Sequence, residues 1–153
     1  MKDWRIGRIL VDTGSSVDII FSDTFEKMGI GRSLLQPSEI PLMGFGGKRV
    51  NAIGKLSLSV SFGDTANART EQITFDVVEM PYPYRGILGR GTINKFEAVV
   101  HQLYLCMKIP APAGVITVRG DQQLARDIER GYTPGQKNVH NLRTESMSHT
   151  FKE

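Results

Sequence analysis

The chain has 153 residues, enough for one domain with a core of its own. An apolar share of 40% and a charged share of 23% exclude a fibrous or low-complexity chain. The net charge of +3 is dispersed, densest at Lys48-Arg49 and from Arg126 to Arg130, which argues against a nucleic-acid surface.

Cys106 is the single cysteine, so no internal disulfide can form and a reducing, cytoplasmic setting is expected. Met1-Lys2-Asp3-Trp4-Arg5 lacks the apolar core of a signal peptide. No apolar run approaches the ~20 residues of a membrane-spanning helix, so no membrane partner is expected. His101, His140 and His149 are scattered, and neither a metal nor a cofactor is expected.

In chain order, Arg8 to Val11 reads as a buried strand, broken by the polar loop Asp12-Thr13-Gly14-Ser15-Ser16. Val17 to Phe21 returns to strand character. Ser22 to Met28 reads as a short helix, with Asp23 and Glu26 at capping-box spacing and Gly29 at its end. Leu42 to Val50 reads as a hairpin with a glycine-rich tip. From Ile53 to Phe62, Leu56, Leu58, Val60 and Phe62 alternate with Lys55, Ser57, Ser59 and Ser61, the mark of a strand with one buried face.

Gly63 to Asn67 is a turn and Ile73 to Val78 a further strand. Pro81-Tyr82-Pro83-Tyr84 is a rigid loop leading into Gly86-Ile87-Leu88-Gly89. A short helix from Arg90 to Lys95 and strands Ala98 to His101 and Leu103 to Ile109 follow. Val115 to Val118 reads as a strand, and Asp121 to Arg130 as a helix capped by its aspartate. The class is all-β with one or two short helices in one domain, residues 1–110. An extension with a strand and a short helix spans 111–130. Residues 131–153 lose apolar periodicity and are expected to be a disordered tail.

The chemistry concentrates at Asp12-Thr13-Gly14-Ser15. A catalytic carboxylate needs rigid support, and the apolar strand Ile9-Leu10-Val11 supplies it. Gly14 permits a tight turn beside the carboxylate, and Thr13 and Ser15 bring hydroxyls that can hold the loop. Asp-Thr-Gly is also ordinary turn chemistry. Two further elements weigh against that bland reading: Ile87-Leu88-Gly89-Arg90, and the hairpin Gly44-Phe45-Gly46-Gly47, which has the composition of a flap. Gly14-Ser15-Ser16-Val17-Asp18 does not fit a nucleophile elbow, and Gly86 to Gly91 lacks the signature of a phosphate loop.

Arg8 to Phe21, Leu42 to Gly47 and Gly86 to Arg90, in that order, resemble the retropepsin-like aspartic proteases, above all the protease region of gypsy-type plant retrotransposon polyproteins. Val115 to Gln122 resembles the segment that follows the protease there, so the resemblance spans roughly 5 to 130. It implies a closed acid-protease barrel and a homodimer. Asp12, Thr13 and Gly14 would be the catalytic triplet, with Thr13 bonding across the dimer axis and Ser15 bonding the carboxylate. Ile87, Leu88 and Gly89 would pack beside the loop, and Met43 to Lys48 would form the substrate flap. It also implies a strand ahead of Arg8, which the sequence pattern does not show.

One chain carries one Asp-Thr-Gly, since Asp64-Thr65-Ala66 lacks the glycine. The expected partners are therefore a second copy of the chain and an extended peptide or polyprotein substrate, without nucleic acid. The expected activity is aspartic endopeptidase hydrolysis in polyprotein processing. The alternative is a catalytically inactive remnant, or a domesticated dimerisation or peptide-binding module.

Overall fold

The long antiparallel hairpin Ala52–Gly63 (β6, strands numbered in chain order) and Ala68–Val78 (β7) is the platform on which the other elements are laid. It belongs to a computed structural model that describes residues 3–38, 41–44, 47–131 and 149–152. The alternation in the sequence is realised along β6. Leu56, Leu58, Val60 and Phe62 are buried. On the opposite face, the hydroxyls of Ser57 and Ser61 bond those of Thr74 (2.8 Å) and Thr70 (2.6 Å) on β7. The turn is closed by Asp64, whose Oδ1 accepts from the backbone N–H groups of Ala66 (2.9 Å) and Asn67 (3.0 Å).

Asp3–Ile6 (β1), Ile9–Val11 (β2), Asp18–Phe21 (β3), Gly86–Leu88 (β8) and His149–Lys152 (β12) extend the hairpin into a seven-stranded sheet. The order is β1-β12-β6-β7-β3-β8-β2. β3 runs parallel to β7 and β2 parallel to β8, whereas β3 and β8 are antiparallel. Strand β3 lies inside this sheet with Ile20 and Phe21 fully covered, so its sequence reads as an apolar run rather than an alternation. The sheet is open: no ladder joins the edge strands β1 and β2 among the described residues, so strand pairing does not close it into the barrel that the resemblance implies.

Two segments differ from the sequence pattern. Asp3–Ile6 is a strand, and within the stretch expected to be a disordered tail, His149–Lys152 is one too, set between β1 and β6. Neither has a local apolar signal strong enough to announce it. A four-residue strand between two neighbours is held by backbone ladders on both sides, and those partners are distant in sequence. Residues 132–148 lie outside the described residues.

A meander of Val99–His101 (β9), Cys106–Ala111 (β10) and Gly114–Arg119 (β11) packs on the large sheet. Met107, Ile109 and Ile116 join Leu58, Val60 and Phe62 in one core. Phe96 meets Phe62 edge to face, 4.8 Å between centroids, the arrangement that ring quadrupoles favour. The strand expected from Leu103 begins only at Cys106. Gln102 to Leu105 form a turn, because β9 must reverse to pair antiparallel with β10, and this leaves Leu103 and Tyr104 exposed.

Three short helices complete the domain: Ser22–Met28 (α1), Arg90–Lys95 (α2) and Gln122–Glu129 (α3). α1 starts at Ser22 without a side-chain cap, so the expected Asp23 capping box does not form. Its entry is fixed by tertiary contacts instead: Phe21 N–H and the Thr24 hydroxyl both donate to the Arg85 carbonyl, at 3.3 and 2.9 Å. Arg69 on β7 anchors the end of α2, donating to the carbonyls of Lys95, Phe96 and Pro110, each at 3.0 Å. The carbonyls of Lys95 and Phe96 are among those that a helix end leaves without intrahelical partners, and the Pro110 carbonyl on β10 ties that end to the meander. Among the described residues no helix is long and apolar enough to cross a membrane.

Leu58 has no exposed surface, at the centre of β6. Leu58→Ala is expected to cost about 2–5 kcal/mol, through lost transfer energy and the cavity left behind. Urea unfolding checks this as a lowered midpoint with an unchanged slope.

Candidate active site

Asp12 follows directly on β2, and its position is set by the backbone. The parallel ladder between β2 and β8 ends at the pair Val11 and Leu88, and the Asp12 N–H extends it by donating to the Leu88 carbonyl at 2.9 Å. The loop then folds back on the aspartate. Ser15 N–H donates to the Asp12 carbonyl at 3.2 Å, and Gly14 N–H donates to Asp12 Oδ1 at 2.9 Å. The carboxylate is half-buried with one oxygen held by the backbone, while Thr13 and Gly14 are exposed.

The remaining triplet neighbours do not all act as the sequence suggests. The Ser15 hydroxyl does not reach the carboxylate. It donates to the Val17 carbonyl at 2.7 Å and accepts from Val17 N–H at 3.3 Å, so it braces the loop and leaves Asp12 to the Gly14 amide. A serine hydroxyl two residues before a backbone pair satisfies it locally, as in an ST turn, and that local geometry prevails. Thr13 Oγ1 accepts from Gln102 Nε2 of the same chain at 3.3 Å, which leaves its own hydroxyl proton free to donate elsewhere.

Ile87 and Leu88 lie in β8 beside the loop, Leu88 fully buried. Gly89 is required by closeness: a Cβ there would collide with the carbonyl oxygens of Val17 and Ser15. Arg90 N–H donates to the Ser15 carbonyl at 2.9 Å, closing the far side of the loop.

Asp18 is a residue whose role the sequence pattern does not single out. Its buried carboxylate accepts from Gly89 N–H at 2.7 Å and Thr92 N–H at 3.1 Å, tying β3 to the start of α2. A Cβ at Gly91 would strike Asp18 Oδ2. The available signal was a lone charge inside the apolar run Val17 to Phe21, since a buried charge must find donors. Burial pushes the Asp18 carboxyl above the usual range, and the charge of Asp76 adds to that. The backbone donors Gly89 and Thr92 oppose it, as does the nearby Thr92 hydroxyl, which makes no well-formed hydrogen bond.

Met43, Gly44, Gly47 and Lys48 belong to a small hairpin in which Leu42–Met43 (β4) pairs with Arg49–Val50 (β5). Gly44 N–H donates to the Lys48 carbonyl at 2.8 Å, Gly47 adopts φ 74°, and Met43 is exposed. Phe45 and Gly46, the expected flap tip, lie outside the described residues. A cleft of about 490 Å³ opens at Asp12, between β2, the β9–β10 turn and α3. Among the described residues no cluster of three or more His, Cys, Asp or Glu is placed to hold a metal ion.

No protein-family profile matches the chain. No curated protein sequence matches it either. Among solved structures, it is similar to the retroviral protease-like domain of Ddi1 from Leishmania major. The TM-score is 0.50 and the identity 15%, over 77% of this chain and 95% of that one. The fold is retropepsin-like. Within it, the Asp12 loop, the β8 strand and the Asp18 contact form one connected unit.

Asp18→Asn keeps an acceptor for Gly89 and Thr92 but cannot ionise. Folded Asp18 binds its proton more tightly than the ordinary carboxyl of pKa 3.8, so its contribution to stability is complete below that value and is lost as pH rises through the raised folded value. The stability difference between wild type and Asp18→Asn is therefore expected to fall with rising pH and then level off. Urea unfolding from about pH 3 to about pH 7 measures it, and a flat difference contradicts the assignment.

Proposed function

We propose that this chain is one half of a homodimeric aspartic endopeptidase, in which the Asp12 carboxylates of two copies activate a single water. The observation that carries the reading is the Asp12 loop: a half-buried carboxylate fixed by the Gly14 N–H, on a backbone ladder to Leu88, in a retropepsin-like fold. A chain supplies one such group. Asp64, in the similar triplet Asp64-Thr65-Ala66, is committed to closing the β6–β7 turn. The second carboxylate therefore comes from a second copy about a two-fold axis.

The chemistry follows from charge. Two carboxylates within hydrogen-bonding reach cannot both ionise easily, so they share a proton and titrate as a unit. The ionised member takes a proton from water, and the protonated member donates to the scissile carbonyl and stabilises the developing oxyanion. Thr13 keeps a hydroxyl proton to donate across the axis. The peptide lies extended, with the β4–β5 hairpin closing over it. Polyprotein processing of the gypsy-type retrotransposon kind, an intracellular setting and closure of the barrel belong to the same proposal.

The second reading is a non-catalytic dimerisation or peptide-binding module. It is favoured by the engagement of Thr13 by Gln102, which gives the Thr13 oxygen a partner within one chain.

Asp12→Asn retains an acceptor for the Gly14 N–H and should leave the circular dichroism and unfolding midpoint unchanged. Cleavage of a peptide library is expected for wild type and expected to fall to background in the variant, with sedimentation showing a dimer. Equal cleavage by both proteins removes Asp12 from the mechanism. A persistent monomer without cleavage, at micromolar concentration, selects the peptide-binding form of the second reading.

A further inference from the structure

The Asp12 loop meets the β9–β10 turn through a side-chain hydrogen bond, from Gln102 Nε2 to Thr13 Oγ1. Both residues are exposed. The turn that carries Gln102 is nevertheless braced. Leu105 N–H donates to the Gln102 carbonyl at 3.2 Å. Tyr104 N–H donates to His101 Nδ1 at 3.3 Å, and the two rings stack with centroids 4.3 Å apart. Leu105 is held at φ 44°, left-handed backbone that a leucine adopts only under constraint from its surroundings. Its carbonyl accepts from Gly120 N–H, and a Cβ at Gly120 would collide with it. Gln102 is thus presented to Thr13 by backbone fixed on either side.

A threonine hydroxyl carries one proton and two lone pairs. Left alone it rotates, and its proton goes to whichever acceptor is nearest, water included. With Gln102 donating into one lone pair, the proton is directed away from Gln102. Among the described residues no acceptor of the same chain takes it. The bond within one chain therefore does not compete with a bond to a second copy; it selects the direction of that bond. An amide turned the other way would accept the proton and keep it inside the chain. Covering the pair with a second copy removes competing water and strengthens both bonds.

We propose that Gln102 is a positioning residue for the active dimer: by donating to Thr13 Oγ1 it turns the Thr13 hydroxyl proton toward the second copy. The proposal rests on the homodimer reading for the acceptor across the axis. It goes beyond that reading by giving the meander, and not only the acidic triplet, a part in bringing two Asp12 loops together. The β9–β10 turn is then the support that holds one donor ready before the copies meet, so less order has to be imposed when they do.

The test measures the dimer dissociation constant of the full chain by sedimentation, with thermal melts to confirm folding. Gln102→Met keeps the length and removes the donor, and should weaken the dimer about ten-fold, with two bonds lost per dimer. Gln102→Glu makes the donor depend on pH. Below an ordinary glutamate pKa of about 4.3 its carboxyl donates as the amide does; above it the carboxylate only accepts and draws the Thr13 proton back into its own chain. The ratio of its dissociation constant to that of wild type should be near one at about pH 3.5 and rise by about ten-fold or more at about pH 7. Arg8, Asp12, Tyr84, His101, Cys106 and Asp121 share the cleft with Gln102, and taking the ratio removes their common contribution. Repulsion between two new carboxylates would also rise with pH, but salt at about 1 M screens it and leaves the hydrogen-bond effect. A dimer unchanged or tightened by Gln102→Met, or a pH effect that vanishes in salt, overturns the proposal while the homodimer reading stands. Wild type that dimerises without cleaving ends the endopeptidase reading and leaves this test in force, and wild type that never dimerises overturns both.

Discussion

The hydrogen bonds from Gly89 and Thr92 to the buried Asp18 carboxylate are the constraint on which the site depends. They join the strand that follows the Asp12 loop to the strand and helix that lie some seventy residues downstream. With that junction fixed, Leu88 presents its carbonyl to Asp12 N–H, Arg90 N–H meets the Ser15 carbonyl, and Gly89 passes close beneath the loop. Ionised Asp18 is costly in this surrounding, and the donors pointing at it offset that cost in part.

The same economy explains the glycines around the site. Gly89 and Gly91 stand where the backbone of one segment touches the backbone or carboxylate of another, and any side chain would push them apart. The rigidity of Asp12 thus comes from main-chain hydrogen bonds rather than from side chains of its own triplet. Such support suits the proposed pairing of Asp12 with that of a second copy, because a ladder shifts less than a rotamer does.

The C-terminal part of the chain is integrated with the protease-like part instead of trailing from it. Arg69 binds the end of α2 to the meander, Met107, Ile109 and Ile116 enter the common core, and α3 reaches the cleft beside Asp12. β12 crosses back to lie between β1 and β6. A boundary drawn at residue 110 on composition therefore falls inside one β10–β11 hairpin, with Pro110 paired to Val115.

Local chemistry was enough to reveal the alternating strand β6, the apolar strand ahead of Asp12, the Asp121 cap and the Asp12-Thr13-Gly14 loop, since period-two burial, capping and tight turns act over a few residues. It could not reveal which hydroxyl serves which acceptor. The Ser15 hydroxyl serves the Val17 backbone and not the carboxylate. The role of Asp18, the engagement of Thr13 by Gln102, and the strands β1 and β12 all rest on partners far away in the chain. By itself the sequence determined the β-rich class and the candidate carboxylate. Only the tertiary structure decided the open order of the sheet, the donors that hold the site and the cleft beside it, because ladders and buried hydrogen bonds between distant segments leave no pattern in either segment alone.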